Sequence, residues 1–463
     1  MTNPDNRIAE CVDDYLKNAS AHFGRYDPLL FLLSFARRPR YSPTSFAILR
    51  EAGRSSREYV EHALNVAAYY HEYRHVWDVF TTAHCLHRGL EVLRLNREYA
   101  NLIMSLAQEG SLLRLPLLSR SETKIQVHVE KARRQALSEI VSNGFSRSEN
   151  PALLNRLLSN PQGFLPDAAV PIVEQYVLGA RAVLETLGQL WGVSALAFDP
   201  ELTNTIMRRI WWADETLPES WPYVLILSRF RDQLRRIGEK VEYGGTIAVL
   251  DLALQSGSDH PGARLLRIFN TVRNAHSELP SDPIQFQEYL CENLGWDPPL
   301  AVLSKLLVGL EKEIRQTSGS IGSIFLADAA EFVRVRLARP DIVFKPSAWE
   351  EAMVLPNMRR ILIEMPSFYL EGKTHVLYAG PSNRTKAYLE YAMLNQIRSQ
   401  SYETRRISCP WAEKRHLTNA YPYDCDRKTR RGCSISSKTK EGTKCLFFEV
   451  CHYLGLYSPP VAT

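Results

Sequence analysis

Residues 55–80 read SSREYVEHALNVAAYYHEYRHVWDVF, and this stretch decides the fold class. Ser55, with Glu58 three residues later, has the spacing of a capping box, which starts a helix. No Pro or Gly follows before Phe80. Val60, Leu64, Ala67 and Ala68 recur at helical spacing and mark an inward face. The same stripe continues through His71, His75 and Asp78, so polar side chains stand where apolar ones are expected. A spacing of four puts both imidazoles on one side of the helix, about one turn apart. Both rings can then reach a single metal ion. Glu72 lies beside His71 around the helix, placed to stand next to such an ion and not to bind it. The competing reading makes the histidines core donors to backbone carbonyls and Glu72 a surface charge paired with an Arg one turn away.

Outward from this helix the rhythm is the same. Stretches 89–108, 166–190, 299–316 and 323–337 carry apolar residues at three- and four-residue steps. Strand-like runs are few, with 361–363 and 374–379 the best candidates for a small sheet or hairpin. The fold class expected is mainly α. Breaks fall at Arg37–Arg40, at Leu279-Pro280-Ser281-Asp282-Pro283, at Asp297-Pro298-Pro299 and at the Gly/Ser turn 318–323. They suggest an N-terminal helical segment 1–54, a helical domain 55–280, a helical or mixed domain 281–404 and a distinct tail 405–463.

The chain has 463 residues, 45% hydrophobic and 23% charged, the profile of an ordinary globular protein. Its net charge of +5 is too mild to imply nucleic acid for the whole chain. No apolar run is long enough for a membrane span. The polar, acidic start MTNPDNRIAECVDDYLKN does not look like a signal peptide, so the expected location is cytoplasmic.

His71-Glu72-Tyr73-Arg74-His75 resembles the HExxH motif of zinc metallopeptidases. The resemblance implies a multi-helix zincin-like domain with little sheet, His71 and His75 as zinc ligands, Glu72 as general base, and a peptide or protein as substrate. Arg74 departs from the pattern, which usually has uncharged residues between the Glu and the second His. It can snorkel or pair with a carboxylate. The metzincin extension is missing, because Asp78 and Thr81 stand where it needs Gly and His. The motif is closer to the gluzincins, in which a Glu on a later helix completes the site. A third protein ligand is needed, with the fourth position left to water.

Candidates are Glu91, Glu98, Glu174 and Glu185. Glu185 is preferred, because an acid flanked by Val183, Leu184 and Leu187 must find a partner. Segment 178–185 also loosely resembles the Glu-bearing helix of such peptidases. Asp78 is a candidate to accept the second N–H of a ligand imidazole and fix its tautomer, or else a simple surface acid. His260 and Arg264 loosely resemble a later His-Pro…Arg element that steadies an oxyanion, although a Pro-started helix with His260 near its cap is the preferred reading. A di-iron bundle would need a second Glu-x-x-His helix, and the others found, at 413–416 and 449–452, lie in the tail.

That tail crowds Cys409, Cys425, Cys433, Cys445 and Cys451 together without a C-x-x-C pair. Loops folding around an ion could still let these thiolates hold a second zinc or an iron–sulfur cluster, and unliganded thiols are the alternative. The tail is also basic, with Arg405, Arg406, Lys414, Arg415, Arg430 and Arg431 among others, interleaved with Tyr421, Tyr423, Phe447 and Phe448. Such a surface suits nucleic acid or an acidic partner. Two functions follow as expectations. One is a zinc metallopeptidase; the other is a non-catalytic, metal-containing binding or regulatory protein that works through its tail.

Overall fold

The computed structural model describes residues 57–404, with breaks at 109–115, 166–170, 174, 197–198, 206–224, 242–243, 276–277, 318–321, 346–350, 353–354, 365–366, 372–373 and 378–381. It also describes residue 10, residues 24–27 and 32–35, residues 450–451 and residues 453–454. Helices dominate it: α1 Arg57–Thr81, α2 Ala83–Gln108, α3 Thr123–Asn143, α4 Pro151–Ser159, α5 Ala180–Ser194, α6 Leu225–Arg229 and α7 Arg231–Lys240. They continue with α8 Gly245–Ala253, α9 Pro261–Asn274, α10 Pro283–Leu294, α11 Pro299–Gln316, α12 Ser323–Ala338, α13 Pro356–Glu364 and α14 Asn383–Glu403. The mainly α expectation holds. No helix among the described residues is long and apolar enough to cross a membrane.

Helix α1 runs unbroken from Arg57 as expected, the Ser55 capping position lying outside the described residues, and it is a central element. It packs on α5 along one side and on α12 along another. It is separated from α2 only by a bend at Thr82. The bend has a local cause: the Ala83 and His84 N–H groups donate to Gln255 Oε1 (3.2 Å) and the Leu254 carbonyl (2.9 Å). Drawing backbone donors away from a helix ladder is one of the few ways to kink a helix sharply. Helices α9, α10 and α11 each start at a proline, a residue suited to the first helical turn. Asp282 also caps α10, its side chain accepting from the Ile284 and Gln285 N–H groups.

One apolar core cluster runs from Tyr73 to Tyr391, and another gathers Val141, Phe145, Leu153, Leu154, Leu157 and Val177. The first includes Leu187 and Trp191 of α5, Leu250 of α8, and Phe325 and Phe332 of α12. Apolar packing thus crosses residue 280 without a break.

Strands are short. Backbone pairing builds a four-stranded sheet in the order β1 (Gly24–Asp27), β2 (Leu32–Phe35), β6 (Ser367–Glu371), β7 (Thr374–Leu377). Strands β2 and β6 run parallel; the other two pairings are antiparallel. A second small sheet has the order β3 (Phe145–Ser146), β5 (Tyr176–Val177), β4 (Ile172–Val173).

Three expectations change. Among its described residues, segment 1–54 contributes β1 and β2 where helix was expected, and Pro28 in the sequence between them is a poor helix residue. Residues 361–363 belong to helix α13, because a three-residue apolar run carries too little period to separate helix from strand. The 166–190 helix begins only at Ala180, since 172–173 and 176–177 pair as strands. Gly179 sets that start: it is extended, and a Cβ there would lie 2.3 Å from the Gly144 nitrogen.

Candidate metal centre

Two glycines decide how closely the histidine helix meets α5. Glu185, Gly188 and Gly192 are three and four residues apart, so they share one face of α5. A Cβ on Gly188 would lie 2.8 Å from the His71 ring, and one on Gly192 would lie 2.4 Å from the Ala67 carbonyl oxygen. Ala67 and His71 are themselves one turn apart on α1. Side chains at these two α5 positions would hold the helices apart. Without them, the Glu185 carboxylate reaches the histidine face.

The structure brings His71, His75 and Glu185 together. The two Nε2 atoms are 3.0 Å apart. Glu185 Oε2 lies 3.2 Å from His71 Nε2 and 3.4 Å from His75 Nε2. The rings meet edge to face, 89° apart. The side chains are 10%, 12% and 20% exposed, so the site is largely buried yet touches solvent.

Protons alone do not account for this triangle. A hydrogen bond needs one hydrogen and one lone pair, and an Nε2 that donates cannot also accept. With two ring nitrogens and one carboxylate oxygen, at most two of the three edges can be good hydrogen bonds. A cation facing all three lone pairs satisfies every edge at once. Zinc–nitrogen bonds of about 2.0–2.1 Å place neighbouring ligands of a tetrahedron about 3.3 Å apart. The observed edges of 3.0, 3.2 and 3.4 Å fit that size. Two imidazoles, one carboxylate and a fourth position left for water also form a recurring catalytic zinc donor set. Burial works against charge on Glu185, but the two imidazoles and their hydrogen bonds outweigh it and hold the carboxyl well below the usual range.

Glu72 is 6% exposed and so is not a surface charge. Arg74 is fully buried, which explains how a charged residue sits inside this motif. Its Nε donates to Asp78 Oδ1 at 2.8 Å and its Nη1 to the Val343 carbonyl at 3.0 Å. Its guanidinium also lies over the Trp191 ring, 4.7 Å from the centroid, on the helix that carries Glu185. Arg74 therefore ties the histidine helix to the glutamate helix. Asp78 is equally buried, and the partner it accepts from is Arg74 rather than an imidazole. Burial raises its pKa, and Arg74 opposes that rise.

Other candidates have separate engagements. Glu91 pairs with His87 and Arg88, and Glu98 with Lys131. Glu174 lies outside the described residues. His260 caps α9, with its Nε2 2.8 Å from the Val141 carbonyl. Arg264 donates to Asp259 and to the Leu252 carbonyl and stacks on Trp296 at 3.6 Å. Cys409, Cys425, Cys433 and Cys445 lie outside the described residues, as does the basic stretch 405–449, and Cys451 is buried.

Sequence reasoning missed Gly188 and Gly192. Their signal was present as two glycines in a strongly apolar helix, on the face of the acid. No family model, curated protein or solved structure matches the chain.

Proposed function

We propose that this chain is a zinc-dependent peptidase. The observation behind this reading is the meeting of His71 Nε2, His75 Nε2 and Glu185 Oε2 within 3.4 Å of one another. These three residues would hold the ion. Zinc in such a site acts as a Lewis acid and lowers the pKa of water toward neutrality.

The remaining steps belong to the chain itself. Glu72 follows His71 directly on a rigid helix, so its carboxylate is carried at a fixed angle to the ligand rings. It is the group to accept the proton as water attacks a peptide carbonyl, and to pass that proton to the departing amine. Glu185 keeps its negative charge through the neutral range, since its pKa is held down. Arg74 and Trp191 keep the two helices in register, which preserves the angle at which Glu72 acts.

The test is the Glu72→Gln variant of the full chain, compared with wild type on a mixed quenched-fluorescent peptide library. General-base catalysis is worth about 10²–10⁴ in rate. The variant should keep its zinc and lose hydrolysis by that factor. Equal hydrolysis by the two proteins would overturn the assignment of Glu72.

A further inference from the structure

A cavity of about 270 Å³ opens between α3, the 163–165 loop and the start of α9, built from none of the metal-centre residues. Its polar lining is Arg88, Arg134, Ser138, Ser142, Ser258 and His260, with no carboxylate among the lining residues. Arg88 Nη2 donates to Ser138 Oγ at 2.9 Å and to Ser142 Oγ at 2.5 Å. Both hydroxyls are thus used as acceptors, which leaves their own protons to donate. Among the described residues, neither proton has an acceptor, and the Ser258 hydroxyl has no hydrogen bond. Arg134 gives its Nε to Glu130 and is 79% exposed, so the rest of its guanidinium is open at the rim. Glu91 pairs with Arg88 through Nη1 from outside the lining.

His260 marks the same wall with a lone pair, which takes a donor such as water or an acid O–H and not a charged oxygen. It is 5% exposed, and with Nε2 donating to the Val141 carbonyl, its Nδ1 is buried without a partner among the described residues. A buried polar atom left unpaired is costly, and such sites recur where a ligand or water completes the bonding. The rest of the wall is apolar, including Leu137 and Phe164.

We propose that this cavity binds a small organic oxyanion, a carboxylate or phosphate ester carried on a short apolar body. The charged end meets the serine hydroxyls polarised by Arg88, with Arg134 at the rim, and the body lies against Leu137 and Phe164. The volume, just below the usual 300–1,000 Å³ range, suits a small ligand.

The probes are phenyl phosphate and benzoate, with neutral benzyl alcohol as control, followed by saturation-transfer NMR on the full chain. At least one anion should bind saturably, and at least tenfold more tightly than benzyl alcohol. Oxyanions also bind zinc, so the titration is repeated in the His71→Ala/His75→Ala protein, where the affinity should not change. Arg88→Ala should abolish binding. Because that variant also loses packing, Arg134→Ala, which alters an exposed side chain, provides the second arm and should weaken binding about threefold or more. The proposal is overturned if neither anion saturates, if binding disappears with the histidines, or if Arg134→Ala binds as wild type does. The peptidase reading fails on a different result, retained hydrolysis in Glu72→Gln, so the two failures are distinguishable.

Discussion

Helix α1 meets two buried polar clusters. Near its C-terminal end, Arg336 of α12 donates to the Thr81 carbonyl and to Asp251 Oδ2, both at 2.6 Å. Gln255 and Gln287 donate to the same carboxylate, and Gln287 also donates to the Ala248 carbonyl. Every contact there runs from a hydrogen to a lone pair. About two to three turns earlier, His71 and His75 meet Glu185 of α5, and their Nε2 and Oε2 atoms face one another. Both clusters are polar groups in a low-dielectric interior, where unmatched groups are expensive. In the first, each oxygen of the Asp251 carboxylate meets a donor, and the one buried polar atom of Arg336 left over is its Nε. The second gathers three ligand atoms within 3.4 Å of one another, and on the proposed reading a cation sits among them, which would separate a structural cluster from a ligand site.

The contrast can be broken at either end. The largest effect expected is at the closed network. Asp251→Ala leaves the Arg336 guanidinium buried without its carboxylate, and removing one partner of a buried pair costs about 3–5 kcal/mol. Urea unfolding should record that loss while the folded fraction keeps its metal. Loss of metal with unchanged stability would reverse the roles assigned to the two clusters.

A smaller effect is expected at Gly188→Ala. The added methyl would press on the His71 ring, and overpacking of this kind costs about 1–3 kcal/mol. The cost should fall on metal affinity, weakening zinc binding about tenfold or more in a competition titration with a chelator. Unchanged affinity would mean that the close approach of α5 does not position the ligands.

The smallest expected effect concerns His84, beside the α1–α2 bend. Burial first, then the charges of Arg88, His260 and His87, depress its pKa to about 3. The unfolded chain therefore takes up this proton more readily, and stability rises with pH across the window from about 3 to about 6.5. At pH 5.5 the loss from this ring is on the order of 1 kcal/mol relative to neutral pH. An NMR titration should find the His84 ring neutral down to pH 5. A midpoint near 6.5 would refute it.

Much of this was legible in the sequence for local reasons. Helices α1, α11 and α12 carry long, uninterrupted apolar periods, and the histidines break the α1 stripe on its inward face. Glu185 stood out because an acid amid Val183, Leu184 and Leu187 needs a partner. What stayed hidden depends on contacts distant in sequence. The approach of Gly188 to His71 spans more than a hundred residues, and the burial of Arg74 depends on Val343 and Trp191. The short strands β4 and β5 pair with each other, and β5 also pairs with β3, a partner that a local period does not reveal.

The central claim is that the open cluster on α1 and α5 holds a metal ion. Elemental analysis for zinc and iron in the purified full chain, wild type beside His71→Ala/His75→Ala, tests it most directly. The account predicts about one zinc per chain in the wild type that is absent from the double variant. The same zinc content in both proteins would place the ion elsewhere and contradict the account.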